Sequence, residues 1–207
     1  MPGVLKLEGT NIATGDGNGA VTLSSGINFP TKSANTGNTS AGGHVLQVQH
    51  KAKTNEFSSG PPGSYNTFVA ITGLDVKITP SSQSSKILVR YHINIAQDAG
   101  SHTGAATALY RNGSIITGAI GTSLLSSQVA VTTVALHYNH NDVNVGTAVV
   151  SAEFLDSPNS DAELTYQAYI YNASGSPYQT YVNRPRQNNN QAYVTKGASF
   201  ITAMEIA

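Results

Sequence analysis

Cysteine and tryptophan are both absent from this 207-residue chain, and charged residues make up only 11% of it. Without cysteine there is neither a disulfide framework nor a thiolate centre, so stability must come from packing or assembly. The 11 Lys and Arg balance the 11 Asp and Glu. No basic field is left to hold a phosphate backbone, and no nucleic-acid partner is expected. The strongest basic cluster, Arg184-Pro185-Arg186, and the pair Lys51 and Lys53 lie outside any run of like charge. No stretch approaches the ~18 apolar residues of a membrane span, and Met1 to Ala20 lacks a basic start followed by an apolar run. A soluble protein made in a cytoplasm, with no membrane span, is the expectation. Gly-x-Ser-x-Gly and phosphate-binding Gly-Lys-Ser/Thr signatures are missing too, so neither a catalytic nucleophile nor a cofactor is expected.

What the chain has instead is Gly, Asn, Ser and Thr in abundance, with 39% hydrophobic residues. This is the composition of short strands joined by many turns. From His44 onward the apolar residues alternate. Ile87, Val89, Tyr91, Ile93 and Ile95 share one face of a strand, and Arg90, His92 and Asn94 the other. Ala148, Val150, Ala152 and Phe154 repeat the pattern. So do Leu164, Tyr166, Ala168 and Ile170, and Phe200, Thr202, Met204 and Ile206, each set being read as a core face. Further strands are expected over Val45–Gln49, Thr67–Ile71 and Val76–Thr79. A phase shift between Val131 and Val134 predicts a bulge or a bend, and so a kink near Thr132 and Thr133, and Asn112-Gly113 predicts a hairpin. These strands, with no helical period, predict an all-β fold: an antiparallel β-sandwich of the jelly-roll type over 44–207. The first 43 residues carry only short apolar patches and end in the turn-forming run Thr31–Gly43, which reads as an extended N-terminal arm.

Three constellations bear on possible chemistry. Gly15-Asp16-Gly17-Asn18-Gly19 has no acidic residue downstream at calcium-loop spacing and reads as a turn. His137 and His140 would point to opposite faces of a strand, so no metal site is expected unless a symmetry axis triplicates one of them. Glu153, Asp156, Asp161 and Glu163 cluster around an expected hairpin loop, Ser157-Pro158-Asn159-Ser160; polysaccharide hydrolysis would need a convergent pair among them. The segment Tyr171–Gln191 reads as a recognition loop or a subunit contact. Tyr178, Tyr181, Arg184, Arg186 and Asn188 are expected at or near its surface, because aromatic faces and amide donors suit both tasks. Tyr169 and Tyr171 place two more rings opposite the core face of their strand, which points to a subunit or receptor contact.

Three segments resemble those of tailed-phage fibre and spike proteins, notably marine ones. They are Leu109-Tyr110-Arg111-Asn112-Gly113-Ser114, then Phe154-Leu155-Asp156-Ser157-Pro158 leading into Leu164-Thr165-Tyr166, and Ser199 to Ala207. The start, Met1 to Thr10, is similar to their attachment segments. The resemblance implies a homotrimeric jelly-roll head on the virion surface, presenting a host glycan- or protein-binding surface. It also implies an arm, with Val4, Leu5, Leu7 and Ile12 as candidate attachment residues, docking on other virion proteins. The chain passes from arm to head without a shaft, so a capsid decoration or head-fibre protein without essential receptor binding is the alternative to a tail fibre. A polysaccharide depolymerase is a more distant third.

Overall fold

A computed structural model describes residues 4–7, 10–15, 21–23, 43–59, 67–97, 104–123, 125, 128–136, 146–172 and 179–207. The chain forms two compact units, Met1–Gly42 and Gly43–Ala207. Within the first, β1 (Val4–Leu7), β2 (Thr10–Gly15) and β3 (Val21–Leu23) pair antiparallel in that order. Val4, Leu5 and Leu7 lie on β1 and Ile12 on β2. Asp16–Gly19, Tyr178, His137 and His140 lie outside the described residues.

The second unit is all-β: two antiparallel sheets pack as a sandwich, in an order compatible with a jelly roll. In the first sheet β4 (Val45–Lys53) pairs with β14 (Ser199–Ile206), and β14 with β7 (Lys86–Gln97). Beyond β14, the same edge of β7 takes β13 (Thr180–Val182), which pairs in turn with β5 (Phe57–Ser58). The opposite edge of β7 takes β11 (Ala148–Asp156). The second sheet runs β10 (Thr133–Leu136), β8 (Gly104–Arg111), β12 (Leu164–Asn172) and β6 (Phe68–Ile78), with the short β9 (Ser114–Ile115) on β8.

Alternation places Ile87, Val89, Tyr91, Ile93 and Ile95 of β7 against Leu164, Tyr166, Ala168 and Ile170 of β12, all buried. The Asn112-Gly113 turn joins β8 to β9 with both residues at positive φ (49° and 77°), as a tight two-residue hairpin requires. Its Asn112 Oδ1 accepts from the Thr165 amide at 2.8 Å, pinning the turn to β12.

Three expectations need correction. The faces of β14 are inverted: Ser199, Ile201, Ala203 and Glu205 are buried, while Phe200, Thr202, Met204 and Ile206 point outward. A one-residue choice of phase swaps the whole set, and here the pairing with β4 and β7 selects the smaller residues for the interior. The strands expected at Thr67–Ile71 and Val76–Thr79 are one strand, β6, continued through an irregularity in pairing at Gly73, which sits at φ 80°. Near Thr132 the phase shift is a bend that leads into β10, the second of the two expected forms. Finally, 157–163 is no hairpin loop, because β11 belongs to the first sheet and β12 to the second.

Candidate functional site

The outer face of the second sheet carries an aromatic cluster. Tyr169 lies opposite Ala108 and Ala70, and Tyr171 opposite Ala106 and Phe68. The small alanines leave room for rings to lean across the strands. Tyr110 and Tyr169 stack with centroids 3.7 Å apart and planes at 17°. Phe68 meets Tyr171 at 5.0 Å and Tyr110 at 5.8 Å, tilted in both cases. Tyr171 is buried in this cluster, whereas Phe68, Tyr110 and Tyr169 stay half-exposed. Burial, then the neighbouring Tyr169, pushes the Tyr110 phenol up. It therefore remains a neutral O–H at physiological pH, able to donate or accept a hydrogen bond. Tyr169 and Tyr171 were legible as outward rings. Phe68 and Tyr110 were not, because only strand pairing brings them beside β12.

The Tyr181–Lys196 region is held together by a residue far away in sequence. Tyr181 is buried, which corrects its expected exposure: β13 is flanked by β7 on one side and β5 on the other. Arg184 lies over the Tyr181 ring, 4.0 Å from its centre, and its Nε is 3.7 Å from a Glu56 carboxylate oxygen. Asn188 Nδ2 donates to Glu56 at 3.0 Å, and Lys196 Nζ donates to the other carboxylate oxygen. The Lys196 hydrogen bond is the chief reason the Glu56 carboxyl sits below the usual carboxylate range. Asn183, fully buried at φ 64°, turns the chain out of β13 and donates to the Lys53 and Asn55 carbonyls. Arg186 and Asn188 are exposed. Glu56 gave no sequence signal, being an isolated acid beyond 120 residues from all three partners.

The four carboxylates weighed for hydrolysis are committed to different partners. Glu153 pairs with Arg90 at 2.8 Å and Glu163 with Lys77 at 2.8 Å, while Asp161 accepts from Gln83 at 3.4 Å. Asp156 is buried and accepts from Arg111 at 2.5 Å and from the Tyr166 hydroxyl at 2.7 Å. Burial, followed by the Asp156 carboxylate, pushes the Tyr166 phenol far up. The trio Asp156–Arg111–Tyr166 thus joins the two sheets through a hydrogen-bonded polar contact. Among the described residues no group of three or more His, Asp or Glu could hold a metal ion, and no helix is long and apolar enough to cross a membrane.

Comparison with known proteins finds no family model that matches this chain and no curated relative.

Proposed function

We propose that this chain is a structural virion protein of the tailed-phage fibre or spike class, a homotrimer anchored through residues 1–43 whose head binds a host surface glycan or protein. The finer fold reading goes with it. The eight strands β4, β6, β7, β8, β10, β11, β12 and β14, numbered one to eight in chain order, form sheets ordered 1-8-3-6 and 5-4-7-2. That order supports the jelly roll, a double-sheet fold that such heads share with capsid and lectin domains. The observation that carries the assembly is the half-exposed Tyr110–Tyr169 stack, fixed on a hydrogen-bonded sheet where a neighbouring copy can cover it. It offers large, rigid contact area with few torsions left to freeze.

The test is direct. Antibody raised against residues 43–207 is expected to label the particle at the tail or at projecting spikes in electron micrographs, and the purified chain is expected to bind host cells. Even labelling over the capsid shell, with no cell binding, would support the decoration reading in its place. Unlabelled particles would overturn both.

A further inference from the structure

The inverted face of β14 leaves a second surface unexplained. On the outside of the first sheet, cross-strand pairing aligns Ser151, His92, Phe200 and Ala52 in one row, and Glu153, Arg90, Thr202 and His50 in the next. Phe200 is 37% exposed, a large apolar ring pointing at solvent from the middle of a sheet. Its direct neighbours across the strands are Ala52 on β4 and His92 on β7. His50 lies beside it, nearly parallel (22°) with centroids 5.8 Å apart, and His92 flanks it at 6.3 Å. The three rings make a strip. Arg90, His92, Glu153, Phe200, Thr202 and Met204 line a shallow depression of about 450 Å³, within the range of small-ligand sites.

The polar groups around the strip are set in place. Thr202 Oγ1 is 2.8 Å from His50 Nδ1, and Ser151 Oγ is 3.3 Å from His92 Nδ1. A hydroxyl that donates to Nδ1 puts the ring proton on Nε2, which makes that nitrogen a donor facing away from the hydroxyl. Beside them the Arg90–Glu153 pair, at 2.8 Å and more than half exposed on both sides, offers a fork of N–H donors next to carboxylate acceptors.

From this juxtaposition we infer that the outer face of the first sheet is a saccharide-binding site centred on Phe200, which takes a neutral pyranose. The C–H face of the sugar lies on the Phe200 ring, and vicinal hydroxyls donate to Glu153 and accept from Arg90 and the imidazoles. The alternation of flat apolar surface with paired donors and acceptors matches that chemistry. Both charges are present side by side, so an anionic polymer would meet Glu153. The inference deepens the receptor-binding reading of the head and names the class of its ligand.

The experiment uses the full chain, with maltotriose, cellotriose and triacetylchitotriose as probes, read by saturation-transfer NMR and titration calorimetry. At least one probe is expected to bind with saturation passing to its ring C–H protons. Phe200→Ala should weaken it about tenfold, the order set by loss of one aromatic contact, whereas Phe200→Tyr should keep it. Failure of all three probes at millimolar concentration overturns the site, as does unchanged binding in Phe200→Ala. A change of oligomeric state in Phe200→Ala, read by light scattering, would reassign the face to a second copy and also overturn it. Host-cell binding that survives Phe200→Ala rejects this site and leaves the receptor-binding reading intact. Saccharide binding without host-cell binding does the reverse.

Discussion

Arg184 rests its guanidinium on the face of Tyr181 while reaching toward Glu56, so a single side chain ties the exposed 184–196 segment to the sandwich through both a ring and a charge. Because Glu56 also accepts from Asn188 and Lys196, it acts as the hub of the segment. Glu56→Gln is expected to leave the sheets folded and to loosen this segment. Trypsin should then cut after Arg186 and Lys196 several-fold faster than in the parent chain, as read by mass spectrometry. Equal cleavage rates would show that backbone packing alone holds it.

Glu205 is fully buried, and burial alone would push its carboxyl up. Hydrogen bonds from Ser81, Gln47 and Ser85, with the Ser81 amide at 2.7 Å, outweigh burial and hold it at about 2, against an ordinary 4.5. With the folded value below the unfolded one, the carboxylate's contribution is complete above pH 4.5 and is lost as pH falls from there toward 2. Glu205→Gln is expected to cost on the order of 2–3 kcal/mol at neutral pH and to flatten the acid limb of stability over that window. Chemical denaturation at a series of pH values checks both, and parallel acid limbs in the two proteins would refute the assignment.

Gly113 has nothing within 4 Å of where a Cβ would sit, yet its φ is 77°. Gly113→Ala therefore isolates backbone strain from crowding, and a loss of about 1–2 kcal/mol is expected by thermal or urea unfolding. A neutral effect would mean that the hairpin shifts to another turn type at little cost.

The stacked Tyr110 and Tyr169 retain exposed area that a neighbouring copy would cover, a gain on the order of 1–2 kcal/mol per ring before association costs. The parent chain is expected to run as a trimer in light scattering at micromolar concentration, and Tyr169→Ser to dissociate it. The companion change Tyr171→Ser is expected to act differently. It empties a buried position against Phe68 and should lower stability by roughly 3 kcal/mol. A monomeric parent would remove the assembly proposal altogether.

The parts of the fold legible in the sequence are those specified locally. Five alternating apolar residues define the inward face of β7, and Asn112-Gly113 carries its own backbone requirement. What escaped depends on partners remote in the chain. Both faces of β14 can be read as apolar, and only its register against β4 and β7 decides that Ile201 goes in and Phe200 out. Tyr181 looked like a loop residue because β13 has three residues, too few to show a period, and its burial comes from β5 and β7. The strip at Phe200 was hidden for the same reason: its members come from β4, β7, β11 and β14, and no window of sequence holds them together.

The place of β14 has a consequence for how the chain is made. It lies between β4 and β7, with its Phe200–Ile206 stretch paired to Lys86–His92 on one side and the Val45–Ala52 stretch on the other. Until residue 206 has been synthesised, β4 has no neighbour in its sheet and the Lys86–His92 stretch of β7 lacks its partner on one edge. A nascent chain thus carries the rest of the sandwich unfinished, and closure of the first sheet is a late, single event. Any stall or truncation before Ser199 exposes two strand edges capable of pairing with other chains.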